Sequence, residues 1–127
     1  MTAAPANINV KVYMHASLDE TVTLNTSLGA PINLTGRTAL CHVRKDRSDS
    51  AVQITLSSAN GGIVLGGVLG TVKFVMSNIA TGALDCPYDA EAWVYDLLVT
   101  DPTPNPDRVD RTFQGLFFII PGATRPV

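Results

Sequence analysis

The chain has 127 residues and a formal net charge of −2, and it is 46% hydrophobic and 16% charged. This length suits one domain with a single core, which we place at residues 1–127, and this hydrophobic content excludes wholesale disorder. The charge argues against a nucleic-acid-binding domain, because binding to phosphates needs a concentration of Lys and Arg. MTAAPANINV has neither the basic start nor the apolar run of a secretory signal, and no segment is apolar for long enough to span a membrane.

Residue types favour strands over helices. Val, Ile and Thr outnumber Glu and Lys by 33 to 5, and β-branched side chains pack well on pleated surfaces, whereas Glu and Lys usually fill solvated helix faces. In the first half of the chain, apolar and polar residues alternate with the period of half-buried strands. The predicted strands there are INVKVYMHAS, TVTLN, RTALCHVRKD and AVQITLSS, and a Gly- and Pro-containing connection, TSLGAPINLTG, separates the second from the third.

The second half continues the pattern. Glycines divide residues 59–76 into two short apolar runs, NIATGALDCPYD suits one helical turn or a loop, and AEAWVYDLLVTD and DRTFQGLFFII are typical strands. Short strands with a turn signal about every ten residues indicate an all-β, immunoglobulin-like antiparallel β-sandwich of seven or eight strands. We expect residues 1–6 and 121–127 to be extended tails.

The candidate reactive residues do not form a catalytic pattern. Cys41 and Cys86 lie in the wrong order relative to Trp93 for the disulfide of immunoglobulin domains, so we expect two free thiols, with Cys41 buried. His15 and His42 fall on the polar faces of strands, where surface histidine is the simpler interpretation. We expect no enzyme activity.

Two further motifs lack the chemistry that they resemble. The run GGIVLGGVLGT lacks the Lys-Ser/Thr ending of a phosphate loop, and the acidic residues between 85 and 111 lack the spacing of a calcium loop. Residues 85–111 nevertheless carry a net charge of −5, which reflects either Asp-rich turns or a cation or charge-matched neighbour. We therefore predict no cofactor and no metal.

The outward faces of the predicted strands carry the strongest functional signal. Strand alternation places Leu40, Val94 and Leu98 outward if the inward residues are Ala39, Cys41, Val43, Tyr95, Leu97 and Val99. In the last strand both alternating sets of side chains are apolar, which is unusual for a strand with one wet face. One hypothesis is that a tail or loop of the same chain covers the second set. The other is a protein–protein interface formed by Leu116, Phe118 and Ile120, joined by Leu40 and Leu98 on other strands.

Three segments, in this order, resemble small tailed-phage and prophage domains related to the baseplate upper-protein immunoglobulin-like domain. They are LTGRTALCHVRKD, SSANGGIVLGGVLGTVKFVMS, and WVYDLLVTD followed by RTFQGLFFIIPGATRP, which together cover about residues 34–126. The matching residues, which we expect to maintain the fold, are Leu34, Thr35, Gly36, Gly61, Gly62, Gly70, Tyr95, Asp96, Gln114 and Gly115. Members of this family usually have polar residues at the positions of Leu40, Leu98, Leu116 and Phe118.

The resemblance implies a virion protein made in the cytoplasm of a bacterial host. It implies a tail or baseplate accessory component, or a fibre-attachment component, which contacts other virion proteins and is present as a homo-oligomer or in several copies, with no nucleic-acid or membrane partner. A capsid decoration protein is an alternative within this class. From another class, a carbohydrate-binding module could use Trp93, Tyr88 and Tyr13 to stack on a glycan, although the sequence pattern places Trp93 more simply in the core.

Overall fold

The computed structural model describes residues 6–25, 28–87 and 89–122, and strands dominate these ranges. A 3₁₀ turn (Gly67–Leu69) and a short helix, α1 (Asn78–Gly82), flank the seventh strand. The nine strands are β1 (Ala6–Asn7), β2 (Val10–Tyr13), β3 (Leu18–Thr23), β4 (Thr38–Arg44), β5 (Ile54–Ser57), β6 (Ile63–Leu65), β7 (Thr71–Met76), β8 (Glu91–Asp101) and β9 (Arg108–Ile120). The predicted all-β fold is confirmed.

The strands form two sheets. In the six-stranded sheet β9, β8, β4 and β5 follow one another as antiparallel neighbours, and β1 and β2 both run parallel to β9 on its other side. The three-stranded sheet has the antiparallel order β3-β7-β6. This division of the strands between two packed sheets is that of an immunoglobulin-like β-sandwich.

The N-terminal strand differs in detail from its prediction. Its pairing with β9 is interrupted at Ile8 and Asn9, which divides it into β1 and β2, so the described residues contain nine strands rather than seven or eight. Ala6, predicted to belong to a tail, pairs with Phe113 in β1. Pro121 and Gly122 of the other predicted tail follow β9 outside any strand, and residues 1–5 and 123–127 lie outside the described residues.

The core lies between the inner faces of the two sheets, where alternate residues of each strand meet. At its centre the rings of Phe74, Tyr95 and Phe117 pack edge to face, with centroids 4.7 to 6.1 Å apart. Phe74 comes from the three-stranded sheet and the other two rings from the six-stranded sheet, so this cluster joins the layers. The predicted inward residues of β4 and β8 are confirmed: they are Ala39, Cys41, Val43, Tyr95, Leu97 and Val99.

A close backbone approach attaches the N-terminal segment to β9. The N–H of Ile8 donates to the carbonyl of Gln114 at 2.9 Å, and the N–H of Leu116 donates to Oδ1 of Asn9 at 3.1 Å. Gly115 lies between these two bonds with a φ of +155°, and a Cβ there would overlap the carbonyl oxygen of Ile8. Only glycine leaves room for the N-terminal segment at this position.

The turn between β2 and β3 is held by α1. His15, predicted on a strand, instead lies in this turn with a φ of +67°, and the N–H of Ala16 donates back to the carbonyl of Tyr13 at 3.1 Å. The hydroxyl of Thr81 in α1 donates to the carbonyl of Ala16 at 2.8 Å. The His15 ring packs so closely on Gly82 that a Cβ at that glycine would lie 2.6 Å from Nδ1.

Substituting Gly115 by Ala should destabilise the fold more than the same change at Gly36. Gly36 also has a positive φ, +78°, but a Cβ there would meet nothing within 4 Å, so the cost is the backbone conformation alone, about 1 kcal/mol. At Gly115 the overlap with Ile8 should add about 2 kcal/mol to the loss. Urea unfolding of the two variants measures the difference, and equal losses would contradict the role assigned to Gly115.

Candidate protein–protein interface

All five predicted interface residues lie on one surface, the outer face of the six-stranded sheet, but they form two groups. Leu40 on β4 lies directly opposite Leu98 on β8. Leu116, Phe118 and Ile120 occupy alternate positions along the last part of β9. The structure therefore brings three of the five residues together and places the other two in a separate pair.

A polar band separates the two groups. His42, Asp96 and Gln114 are cross-strand neighbours on β4, β8 and β9. The Asp96 carboxylate forms an ion pair with Arg111 at 3.3 Å, and the Gln114 amide donates to Oδ1 of Asn7 at 3.4 Å. This band is polar across its width, so the Leu40–Leu98 pair does not continue the apolar surface of β9.

The neighbours of the β9 group enlarge it into a continuous surface. Leu116 lies opposite Val94, Phe118 opposite Ala92, and Ile120 beside Tyr13 of β2. We call this surface the outer apolar patch, and it consists of Tyr13, Ala92, Val94, Leu116, Phe118 and Ile120. Tyr13 is 54% exposed and Ala92 is also exposed, whereas the other four side chains are half-buried.

Three members of the patch were not predicted. Alternation already placed Val94 outward, but it could not show that Val94 lies beside Leu116, because that depends on the register of β8 and β9. The register of β8 and β9 also places Ala92 beside Phe118. Tyr13 joins the patch through the parallel pairing of β2 with β9, which brings together segments that are far apart in the chain. The alternative that the C-terminal tail covers this face concerns residues 123–127, which lie outside the described residues.

Basic side chains border the outer apolar patch. Lys11 is exposed beside Phe118, and Arg44 lies opposite Val94. The Arg44 guanidinium donates to the carbonyls of Asp49 and Ser50 at 3.0 and 2.9 Å, which holds it in place at the border. The described strand residues of this face include three basic residues, Lys11, Arg44 and Arg111, and one acidic residue, Asp96, and Arg47 approaches from the next loop.

The outer face of the three-stranded sheet has different chemistry. Its central strand β7 presents Thr71, Lys73 and Val75, and β3 presents Asp19, Thr21 and Thr23. Lys73 forms an ion pair with Asp19 at 3.4 Å. Most of this face can therefore be solvated without cost, in contrast to the outer apolar patch.

Both cysteines are free and fully buried, which corrects the expectation that only Cys41 is buried. Cys86 follows α1 in a segment that folds under the end of the sandwich, where its thiol donates to the carbonyl of Asp89 at 3.3 Å. Burial raises the pKa of Cys41 to about 12, with a smaller contribution from the charge of Asp96. Burial also raises the pKa of Cys86. Neither thiol has the lowered pKa of a reactive cysteine.

Trp93, one of the three aromatic residues considered for glycan stacking, lies in the core. Trp93 is 1% exposed, as predicted for a core residue, and its Nε1 donates to the Glu91 carboxylate at 3.0 Å. The Lys45 ammonium lies 5.5 Å from the centroid of the Trp93 ring. Tyr13 is exposed, and Tyr88 lies outside the described residues. A buried indole cannot stack on a sugar ring.

Within residues 6–25, 28–87 and 89–122, no group of three or more His, Cys, Asp and Glu side chains is placed to hold a metal ion. In that part of the chain no helix is both long and apolar enough to cross a membrane. No protein-family model matches the chain, and no curated protein sequence matches it significantly.

The buried Cys41 thiol should make the protein less stable at high pH. The pKa of this thiol is about 12 when folded, against a reference value of 9.0, so above about pH 9 the unfolded chain releases the proton that the folded chain keeps. The contribution of the protonated Cys41 thiol to the free energy of unfolding is fully present below pH 9 and is lost as the pH rises towards 12. The advantage in unfolding free energy of the wild type over Cys41→Ala should therefore shrink by about 3 kcal/mol between about pH 8 and pH 11.

Urea unfolding under reducing conditions at several pH values measures this difference. Both proteins share every other titrating group, so their common pH dependence cancels in the comparison. A difference that stays constant with pH would show that the Cys41 thiol is not held protonated by burial.

Proposed function

We propose that this chain is a non-enzymatic structural protein of a tailed-phage virion, a tail or baseplate accessory or fibre-attachment component that docks through its outer apolar patch. The observation that carries the proposal is the contrast between the two outer faces of the sandwich. One is mostly polar, and the other presents a continuous apolar surface with a basic border. An apolar centre with a polar rim is the usual arrangement of a protein–protein interface.

The composition of the patch suits docking better than solvation. Phe118, Ile120 and Leu116 each keep part of their apolar surface open to solvent, and Tyr13 adds an exposed aromatic ring with a polar tip. Aromatic residues are enriched in the buried centres of interfaces, where they supply much of the binding energy. Covering this area removes apolar surface from water at about 25 cal/mol per Å².

The basic residues around the outer apolar patch indicate the kind of partner that would bind it. Lys11, Arg44 and Arg47 surround the patch, so a partner with an apolar centre and an acidic rim would be complementary to it. Two copies of this chain packed patch to patch would oppose basic groups instead. We therefore assign the outer apolar patch to a different virion protein.

The virion assignment rests on the sequence resemblance described above. Two of the residues that carry the resemblance, Gly115 and Tyr95, hold the N-terminal strand against β9 through Ile8. Their role in this chain is structural, so the resemblance bears on fold and assembly rather than on catalysis. A capsid decoration protein would use the same surface chemistry, and the location of the chain on the particle distinguishes the two roles.

The proposal predicts that Leu116→Lys combined with Phe118→Lys abolishes incorporation into particles while the protein stays folded. Both side chains are half-buried, so the fold should tolerate lysine there, whereas two added charges at the centre of an interface should weaken binding at least about 100-fold. The measurement is immunodetection of the chain in density-gradient-purified particles from cultures that produce it. Gold labelling of the same particles then shows whether the chain is on the tail or the head.

A matched control makes the same charge change on the opposite face. Thr71→Lys with Val75→Lys replaces two half-buried residues on the outer face of β7 and should leave incorporation unchanged. Circular dichroism and a melting curve confirm that both double variants fold. Absence of the wild-type chain from the particles would overturn the virion assignment, and equal incorporation of the two double variants would overturn the role of the patch.

A further inference from the structure

The four edge strands of the sandwich differ in how they are protected from pairing with another chain. An exposed strand edge presents free N–H and C=O groups, and natural proteins usually block it. On β5 the side chain of Asn60 does this: its Oδ1 accepts from the N–H of Ser57 at 2.9 Å, and its Nδ2 donates to the carbonyl of Thr55 at 3.0 Å. The edge of β5 is therefore occupied by the chain itself.

The edges of the three-stranded sheet carry other protections. On β3, Glu20 holds a core-facing register position, between Leu18 and Val22 and opposite Phe74, yet its side chain is exposed. An inward-register charge of this kind disfavours a further strand at the edge. The other edge strand, β6, is only three residues long.

Within the part of the chain that the structure describes, β2 has neither a side chain bonded along its edge nor an inward-register charge, and its one charged residue, Lys11, lies on the outer face. Met14 donates its N–H to the carbonyl of Ile120 at 3.0 Å, and Ile8 donates to Gln114 at 2.9 Å, so the even-numbered residues of this segment direct their backbone groups at β9. Backbone N–H and C=O groups of successive residues point to opposite sides of a strand. The N–H and C=O groups of Lys11 and the N–H of Tyr13 therefore point away from β9, towards the open side of β2. No described strand pairs with β2 on that side.

We propose that β2 pairs antiparallel with β2 of a second copy of this chain, about a two-fold axis at Val12, so that two six-stranded sheets become one continuous sheet. This goes beyond the proposed function, which concerns a different partner on a different surface. The pairing would form four backbone hydrogen bonds, two from each copy, in which the Tyr13 carbonyl accepts a second bond besides the one from Ala16. It is self-complementary, as a two-fold contact must be.

Side-chain chemistry selects this register. With the axis at Val12, Lys11 of each copy lies directly opposite Tyr13 of the other, and an ammonium beside an aromatic ring is favourable. An axis at Lys11 would place two lysines opposite each other, which is unfavourable. An axis at Tyr13 would require His15 to continue the strand, and its φ of +67° prevents that.

The pairing also makes the outer apolar patches of the two copies continuous. Tyr13, Phe118 and Ile120 lie next to the β2 edge, so the two patches would meet across the axis. The combined surface would hold two copies of the acidic-rimmed partner side by side, or one partner twice as long. Self-pairing at the edge and docking at the face would then reinforce each other.

Proline at position 11 tests the edge directly. Lys11→Pro removes an N–H that points away from β9, so it leaves the β2–β9 ladder intact and blocks only the new pairing. Thr21→Pro on the edge strand β3 is the matched control. The Leu24 N–H donates to the carbonyl of Gly70, which continues the β3–β7 pairing, so by alternation the Thr21 N–H points away from β7. In sedimentation equilibrium we expect the wild type and Thr21→Pro to form concentration-dependent dimers and Lys11→Pro to stay monomeric.

Cysteine substitutions test the register and do not depend on the folding of the proline variant. In the proposed pairing, positions 11 and 13 of opposite copies are hydrogen-bonded partners with Cα atoms about 5.5 Å apart, which is suitable for a disulfide. Lys11→Cys combined with Tyr13→Cys should form a covalent dimer on mild oxidation, and Lys11→Cys alone should not. The buried Cys41 and Cys86 leave these as the accessible thiols among the described residues.

Three results would overturn the proposal: a wild type that is monomeric at every concentration, a Lys11→Pro dimer as stable as the wild type, or equal crosslinking of the single and double cysteine variants. Dimers that are lost in Leu116→Lys/Phe118→Lys but kept in Lys11→Pro would place self-association on the patch and overturn this edge contact. None of these results decides whether the chain is incorporated into virions, so the two proposals can fail separately.

Discussion

The contact between Ile8 and Gly115 is the constraint on which the surface of this protein depends. The Ile8 carbonyl oxygen occupies the space that a Cβ at Gly115 of β9 would fill. The Tyr95 hydroxyl, which lies in the core, donates a hydrogen bond of 2.6 Å to this oxygen. Because a buried hydroxyl needs a partner, the aromatic cluster of Tyr95, Phe74 and Phe117 is coupled to the position of the N-terminal strand. The packing of the aromatic core and the position of β2 therefore constrain each other.

This arrangement decides which strand is the sheet edge. Without β1 and β2, β9 would be the last strand, and its apolar outer residues would lie along an open edge. With β2 in place, Phe118 and Ile120 become interior residues of a wider sheet, and Lys11 and Tyr13 take over the edge. The pairing of β2 with β9 therefore turns an exposed apolar strand into a face with a basic border.

Much of the fold could be predicted from alternation alone, because a side-chain period of two shows which residues share a face of each strand. The inward set of β4 and β8 was predicted in this way, as was the outward placement of all five interface candidates. Register could not be predicted, since the pairing of Tyr13 with Ile120 joins residues more than one hundred positions apart. For this reason the sequence suggested one surface where the structure has two, divided by His42, Asp96 and Gln114.

The remaining errors have local causes that a strand pattern does not contain. Cys86 looked like a loop residue, and it is buried because the segment after α1 folds against the end of the sandwich near Ile119. His15 continued an alternating pattern but lies in a turn, where Thr81 of α1 holds the neighbouring carbonyl. In both places a contact with α1 or with the segment after it overrides the preference of the short sequence, as tertiary packing commonly does.

The two surfaces inferred for this protein differ in the physics that would make each of them specific. The outer apolar patch relies on apolar area with a charged border. Such a surface tolerates changes in the shape of the partner but discriminates by the sign of the partner's charge. The edge relies on backbone hydrogen bonds, which any extended strand could satisfy, so its selectivity must come from the side chains of Lys11 and Tyr13. Since both surfaces meet at Tyr13, a partner on the face also restricts what can approach the edge.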